Sequence, residues 1–479
     1  MLRAVAVALV VFGGALPAVS QVDCSTPDDL CTGDPCVISS LDVLAPCVVD
    51  FGTRAVVVAG KIGLPGNGSA LPFVSTLSFT AGSITVQGSI ECPPNEDIGD
   101  VVFSAAGMIT IDGPINLSGC AGGFVDLMSG SDINVNSRIT LNSRGGTAAA
   151  TLTANRDIHV RDRIRGLWGC YVVSADGDVE IADTGAILGP ALVRDGDGCN
   201  LSIDAGGRLT SAGRLSMRGN STSGDITLIG GEGVELHGTI DLRASPRFGN
   251  GGFLEVQSPG GEVVMDAAIR AKAFSAAYVT IGASGDLTIS RRINGDGGRD
   301  GHGSRVNLSS ATGDVVIDGV ISARVGRLLV PAVTIDAGNE VVVNRRILVN
   351  DPRASESYGG TIRLDGDSVR VGSRVLLNAD GRTRGGQIRL LATAGNLDLG
   401  GLYLARGGSG PGGVIEGTAS GNITTDGVFQ CAGTPAGCIA LNAGGTLDTT
   451  GAMFDKPLSG DCPGSPSGAF LVPTAAALD

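Results

Sequence analysis

Gly177-Asp178-Val179-Glu180-Ile181 is a phrase this chain keeps repeating. It returns as Gly224-Asp225-Ile226-Thr227-Leu228, Gly285-Asp286-Leu287-Thr288-Ile289 and Gly313-Asp314-Val315-Val316-Ile317. Further on it reads Gly395-Asn396-Leu397-Asp398-Leu399 and Gly421-Asn422-Ile423-Thr424-Thr425. Each copy is a turn followed by a short strand of period 2. A repeated unit of this kind decides the architecture before any local reading does.

The turn acid or amide serves as a ruler. It stands at Asp132, Asp157, Asp178, Asp225, Asp286, Asp314, Asn339, Asn396 and Asn422, with single steps of 25, 21, 28, 25 and 26 residues. The longer gaps are near two units, with degenerate copies at Gly261-Glu262-Val263 and Asp367-Ser368-Val369. A period near 26 leaves room for about three short strands and three turns. That is one coil of a parallel β-helix. A propeller blade needs about 40–45 residues and its own signature, and a leucine-rich repeat needs a Leu/Asn frame that is absent. The expected fold is therefore all-β: a single-stranded parallel β-helix of about three short strands per coil. Ile109, Ile111, Ile115 and Leu117 are expected inside, with the polar residues between them outside.

Composition agrees. The 77 glycines suit short strands between turns, not helices. The net charge of −14 argues against a nucleic-acid partner, which needs a basic face. Lys61, Lys272 and Lys456 are the only lysines, so the basic residues are nearly all Arg. That bias reads as GC-rich bacterial coding.

The chain divides into four segments. Residues 1–20 read as a secretory signal peptide: Arg3, the apolar run Ala4–Phe12, then the small-x-small site Ala18-Val19-Ser20. Residues 21–48 read as a Cys-rich N-terminal cap, 49–455 as the β-helix, and 456–479 as a Pro/Gly/Ala-rich tail or cap. No apolar run reaches the length of a membrane span. A secreted, periplasmic or cell-surface location through Sec-type export is expected.

With export, the 11 cysteines read as disulfide partners. Cys92 and Cys120, Cys170 and Cys199, and Cys431 and Cys462 are 28, 29 and 31 residues apart. Each spacing is close to one coil, so adjacent coils can meet bridging geometry. The odd count leaves at least one thiol free or intermolecular.

The polar constellations favour structure over chemistry. A stacked column of turn carboxylates could hold Ca²⁺. Turn chemistry explains it better: Gly would take a positive φ and Asp or Asn would bond its own backbone. No metal or cofactor is expected. Arg138, Arg163, Arg292, Arg346 and Arg374 each precede an inward residue, forming an Arg column that could face an anionic glycan. Gly301-His302-Gly303 resembles a motif of polygalacturonase-type glycoside hydrolases, but that family's Asn-Thr-Asp is absent. The only Asp-Asp pair, Asp28-Asp29, lies in the Cys-rich head. No catalytic residue is assigned. His159 and His237 read as outward strand positions, and Trp168 with Tyr171 as a loop cluster beside Cys170.

The pattern Gly-x-Ile-x-φ-x-Gly-x-Ile-x-Leu, with φ apolar, resembles the repeats of filamentous haemagglutinin-type exoproteins and other bacterial adhesin β-helices. The resemblance covers about residues 82–450. It implies a right-handed rod, a pectin-lyase-like solenoid, that displays binding surfaces outside the cell. The chain lacks that family's Asn-Pro-Asn-type secretion motifs and ends without a translocator barrel. The expected function is an exported non-enzymatic rod with a surface, adhesive or envelope-structural role, its partner a glycan or cell-surface polymer. The competing expectation is a polysaccharide lyase or glycoside hydrolase acting on an acidic polysaccharide.

Overall fold

A computed structural model describes residues 24–458, except 25, 44–45, 65–74, 94–98, 121–122, 142–147, 168, 190–197, 246, 276, 298–302, 325–330, 351–356 and 457. It is a right-handed parallel β-helix. Each coil runs through three walls. Wall 1 carries the longest strands, such as Gly99–Ala105, Gly123–Ser129 and Ala148–Ala154. Wall 2 carries strands of three or four residues, such as Ile109–Ile111 and Ile133–Val135. Wall 3 carries the shortest, such as Ile115–Asn116 and Ile139–Thr140. A longer loop then leads back to wall 1 of the next coil.

Wall 1 is a 16-stranded parallel sheet. At about 4.8 Å per rung the stack is roughly 70 Å long. Walls 2 and 3 form one 32-stranded sheet, because Ala55–Gly63 runs through both at the N-terminal end. The only helix among the described residues is the single turn Pro27–Leu30.

The period-2 pattern places one set of residues inside. Wall 3 stacks Ile115, Ile139, Ile164, Ile187, Leu215, Ile240, Ile269, Ile293, Ile321 and Ile347 in unbroken register. All are essentially inaccessible. Burying one such side chain contributes roughly 1.5–3 kcal/mol, so the core is a continuous column that no single coil could form alone. Aromatic stacks fill both ends of the rod. Phe79 and Phe103 lie face to face at 5.6 Å, as do Tyr403 and Phe429 at 4.5 Å.

The first rungs lie within the segment expected to be a cap. Cys36–Asp42 pairs with Ala55–Gly63, and Cys47–Asp50 pairs with Ser75–Ala81. Cys36, Ile38 and Leu41 already point into the core. Two disulfides, Cys24–Cys47 and Cys31–Cys36, fasten this segment.

Candidate functional site

The repeated phrase marks the corner between walls 1 and 2. There the side chain of each Asp or Asn reaches the next coil, not its own backbone. Asp157 Oδ1 accepts from the Asp178 N–H at 2.8 Å, and Asp178 Oδ1 from the Arg208 N–H at 2.7 Å. Asp286 Oδ1 accepts from the Asp314 N–H at 2.9 Å, Asn396 Oδ1 from the Asn422 N–H at 2.7 Å, and Asn422 Oδ1 from the Thr446 N–H at 2.8 Å. The Gly before each donating residue has a matching cause. A methyl on Gly207 would strike Asp178 Oδ1, and one on Gly445 would strike Asn422 Oδ1. The expected positive φ is not the reason: among the described residues the positive-φ glycines are Gly33, Gly52, Gly401 and Gly451. Glycine here leaves room for the side chain of the coil below.

Two members of the ruler lie elsewhere. Asp225 stands at the start of a wall 1 strand, where it bonds Asn200 Oδ1 below and the Phe253 N–H above. Its rung of wall 2 is Gly233–Leu236. Asn339 is one residue out of line, since Val341 and not Glu340 pairs with Val315.

The Arg residues do not form one column. Arg138, Arg163, Arg292 and Arg346 precede in-register residues of wall 3. Arg374 does not, because Leu377 occupies that register and Arg374 falls three residues before it. Arg214, which pairs with Ala186, is the member sequence reading missed. Arg138 and Arg163 stand on adjacent coils, while Ala186, Thr239, Ala268 and Val320 separate the others into single exposed positions.

The densest charge cluster surrounds Asp241, whose side chain is wholly inaccessible. Arg243 donates to both carboxylate oxygens at 2.8 Å, Arg214 to Oδ2 at 2.9 Å, and Arg218 lies 3.8 Å from Oδ2. Burial pushes this carboxyl up, but the hydrogen bonds and charge of Arg243, with that of Arg218, outweigh it and hold the group below the ordinary range. A signal for these residues was present in the sequence. Arg218, Arg243 and Lys272 each stand three residues after an inward residue of wall 3: Leu215, Ile240 and Ile269.

Two of the three cysteine pairs expected from the coil spacing are formed, and the third is not. Cys92 is joined to Cys120 and Cys170 to Cys199, with Cα separations of 5.7 and 4.9 Å. Cys431 was expected to pair with Cys462, but it is a free buried thiol. It stands inside the coil, two residues after Phe429, in the core row of Ala379 and Ala405. Burial first, then the charge of Asp455, pushes the thiol up to about 12. Cys438 carries a disulfide instead, to a partner outside the described residues. Cys462 lies outside them too.

Histidine and cavity positions complete the surface. His159 faces outward on wall 2 with Nδ1 3.0 Å from Glu180 Oε2. His237 is exposed one residue past its strand, near Glu235 and Asp266. Tyr171 is buried and donates to the Leu188 carbonyl at 2.8 Å. His302 and Trp168 lie outside the described residues. A cavity of about 600 Å³ is lined by Asp380, Arg382, Arg406, Gly407, Gly433 and Thr434. Its Arg406 is occupied by Asp380 at 2.7 Å. Among the described residues, no three His, Cys, Asp or Glu converge to hold a metal ion, and no helix is long and apolar enough to cross a membrane.

Comparison with family models, curated proteins and solved structures finds no match for this chain.

Proposed function

We propose that this chain is an exported, non-enzymatic β-helix rod with a cell-surface, adhesive or envelope-structural role. One observation carries the reading: the polar residue that recurs most regularly, the corner Asp or Asn, is spent on bonding one coil to the next. A rod whose repeated polar side chains hold register is built for length and persistence. Four disulfides among the described residues fit an oxidising compartment, in keeping with the expected export. The resemblance to adhesin-type repeats points the same way. A glycan array run beside a reducing-sugar assay on acidic polysaccharides tests it. Binding without release of reducing ends is expected, and turnover of any substrate would overturn it.

A second reading, a hydrolase on the same fold, has one observation in its favour. Asp100 and Asp126 are diagonal neighbours facing out of wall 1 on adjacent coils. Burial pushes both carboxyls up, and Asp126 Oδ1 is buried without a hydrogen-bond partner among the described residues. A carboxyl whose affinity for its proton is raised is a feature a general acid uses. If sugar ends are released, Asp100→Asn and Asp126→Asn must abolish the release for this pair to be responsible.

A further inference from the structure

The chain carries a net charge of −14, yet one stretch of the rod is strongly basic. Past wall 3, strand-like bonding continues along three coils. The Gly219 N–H donates to the Arg243 carbonyl and the Ala244 N–H to the Lys272 carbonyl. With Ser216, Asp241 and Arg270 in register, this places Arg218, Arg243 and Lys272 directly above one another. The rung spacing of about 4.8 Å makes them a row of three cations running along the rod axis. Arg214 and Arg270 flank the row, and both are exposed. The row ends at the next coil, where Asp296 takes the position in line with Arg324.

Five cations thus face one carboxylate, that of Asp241, which lies beneath the surface and holds three of them in place. The ion pairs fix the arginines without cancelling them. A buried acid under a row of cations is an arrangement for presenting positive charge outward. Arg270 and Lys272 form no ion pair among the described residues. The loop that leaves Arg243 adds the exposed Arg247 and Phe248, the latter 57% accessible. An apolar ring beside a cation row suits a sugar face next to a carboxylate.

We propose that this surface binds a linear acidic polysaccharide laid along the rod, one sugar carboxylate or sulfate meeting one cation per coil. The proposal rests on the reading of the chain as a surface rod and names the class of polymer it would hold. A nucleic acid fits less well, since the one exposed ring of this loop, Phe248, offers no platform for stacking successive bases.

The test uses polygalacturonate as the probe, with dextran and a single-stranded DNA oligonucleotide beside it, measured by biolayer interferometry on the purified full chain. The principal variant combines Arg218→Ser, Arg270→Ser and Lys272→Ser, and leaves Arg214 and Arg243 on the buried Asp241. The comparison variant combines Arg138→Ser, Arg163→Ser and Arg346→Ser. The unaltered chain should bind polygalacturonate at low salt, release it at high salt, and ignore dextran. The principal variant should bind at least about tenfold more weakly while remaining folded at the assay temperature, and the comparison variant should bind as the unaltered chain does. No binding by the folded chain, equal losses in both variants, or tighter binding of the oligonucleotide would each overturn the proposal. Release of reducing ends with the binding map intact would overturn the non-enzymatic reading alone.

Discussion

The corner column makes a coupling prediction that can be worked from the coordinates. Asp178 Oδ1 accepts the Arg208 N–H at 2.7 Å, and Gly207 is the residue whose added methyl would strike that same oxygen. The corner is exposed, so the bond contributes about 1 kcal/mol. Asp178→Ala removes it directly. Gly207→Ala removes it indirectly, because the exposed carboxylate can swing into solvent to escape the methyl. The glycine change also narrows the unfolded ensemble, which returns about 0.4–1 kcal/mol. Once Asp178 is alanine, Gly207→Ala has no bond left to break, and what remains, the chain-entropy gain and a tight approach to the Gly177 backbone, is common to both backgrounds and cancels in the cycle. The double variant should therefore be more stable than the sum of the two single effects by about 1 kcal/mol, well above the ~0.3–0.5 kcal/mol scatter of independent sites. A solenoid can open locally, so the readout should be local as well: amide exchange of the Leu201–Ser211 segment, with urea unfolding alongside. Strict additivity would refute the claim that this glycine exists to admit the side chain of the coil below.

Other outcomes follow from the same coordinates. Cys431, a neutral thiol pushed up to about 12 and inaccessible in the core, should resist alkylation at pH 8 and react only after denaturation; mass spectrometry of native and denatured samples checks this. Replacing both cysteines of Cys92–Cys120 or of Cys170–Cys199 by serine should cost about 3–4 kcal/mol for loops of this length, read as a lower urea midpoint. Asp241 has a depressed carboxyl pKa, so its ion pairs stabilise the fold fully above the unfolded value of about 3.9 and are lost as pH falls through the folded one. The melting temperature of the unaltered chain should therefore fall more steeply below pH 4 than that of Asp241→Asn. Parallel slopes would show that the carboxylate is not stabilised by its arginines.

The fold was legible because burial imposes a rule on every coil. Ile109, Ile111, Ile115 and Leu117 alternate as a strand must, and the same alternation returns at an almost constant interval. Register was less legible, because loops between walls change length without changing local pattern. Gly224-Asp225-Ile226 reads like a wall 2 corner but begins a wall 1 strand, since the start of wall 1 also needs a side chain bonding upward. Gly372-Ser373-Arg374-Val375 reads like Asn136-Ser137-Arg138-Ile139, yet a turn bonded from the Val375 N–H to the Gly372 carbonyl inserts two residues, and Leu377 takes the register. Cys431 was paired with Cys462 by their spacing, whereas its distance from Phe429 places it in the core row as a free thiol.

The basic row is hidden in the sequence for the same reason. Just before the inward residue of wall 3, intervening Ala186, Thr239, Ala268 and Val320 scatter the arginines. Arg218, Arg243 and Lys272 lie three residues after it, past the ends of the wall 3 strands, where buried Leu242 and Ala244, and Ala271 and Ala273, carry the alternation on. In a stacked solenoid, chemical periodicity belongs to a position in the coil and not to a motif in the chain. A polymer lying along the rod sees successive coils at one position, so the informative alignment is the column, including columns in the connections. That view separates the two acidic features of this protein. The corner aspartates recur because each coil needs an acceptor for the next, and their drift to Asn396 and Asn422 keeps that acceptor while discarding the charge. Asp241 cannot drift in that way, because its charge holds three arginines that an amide would not.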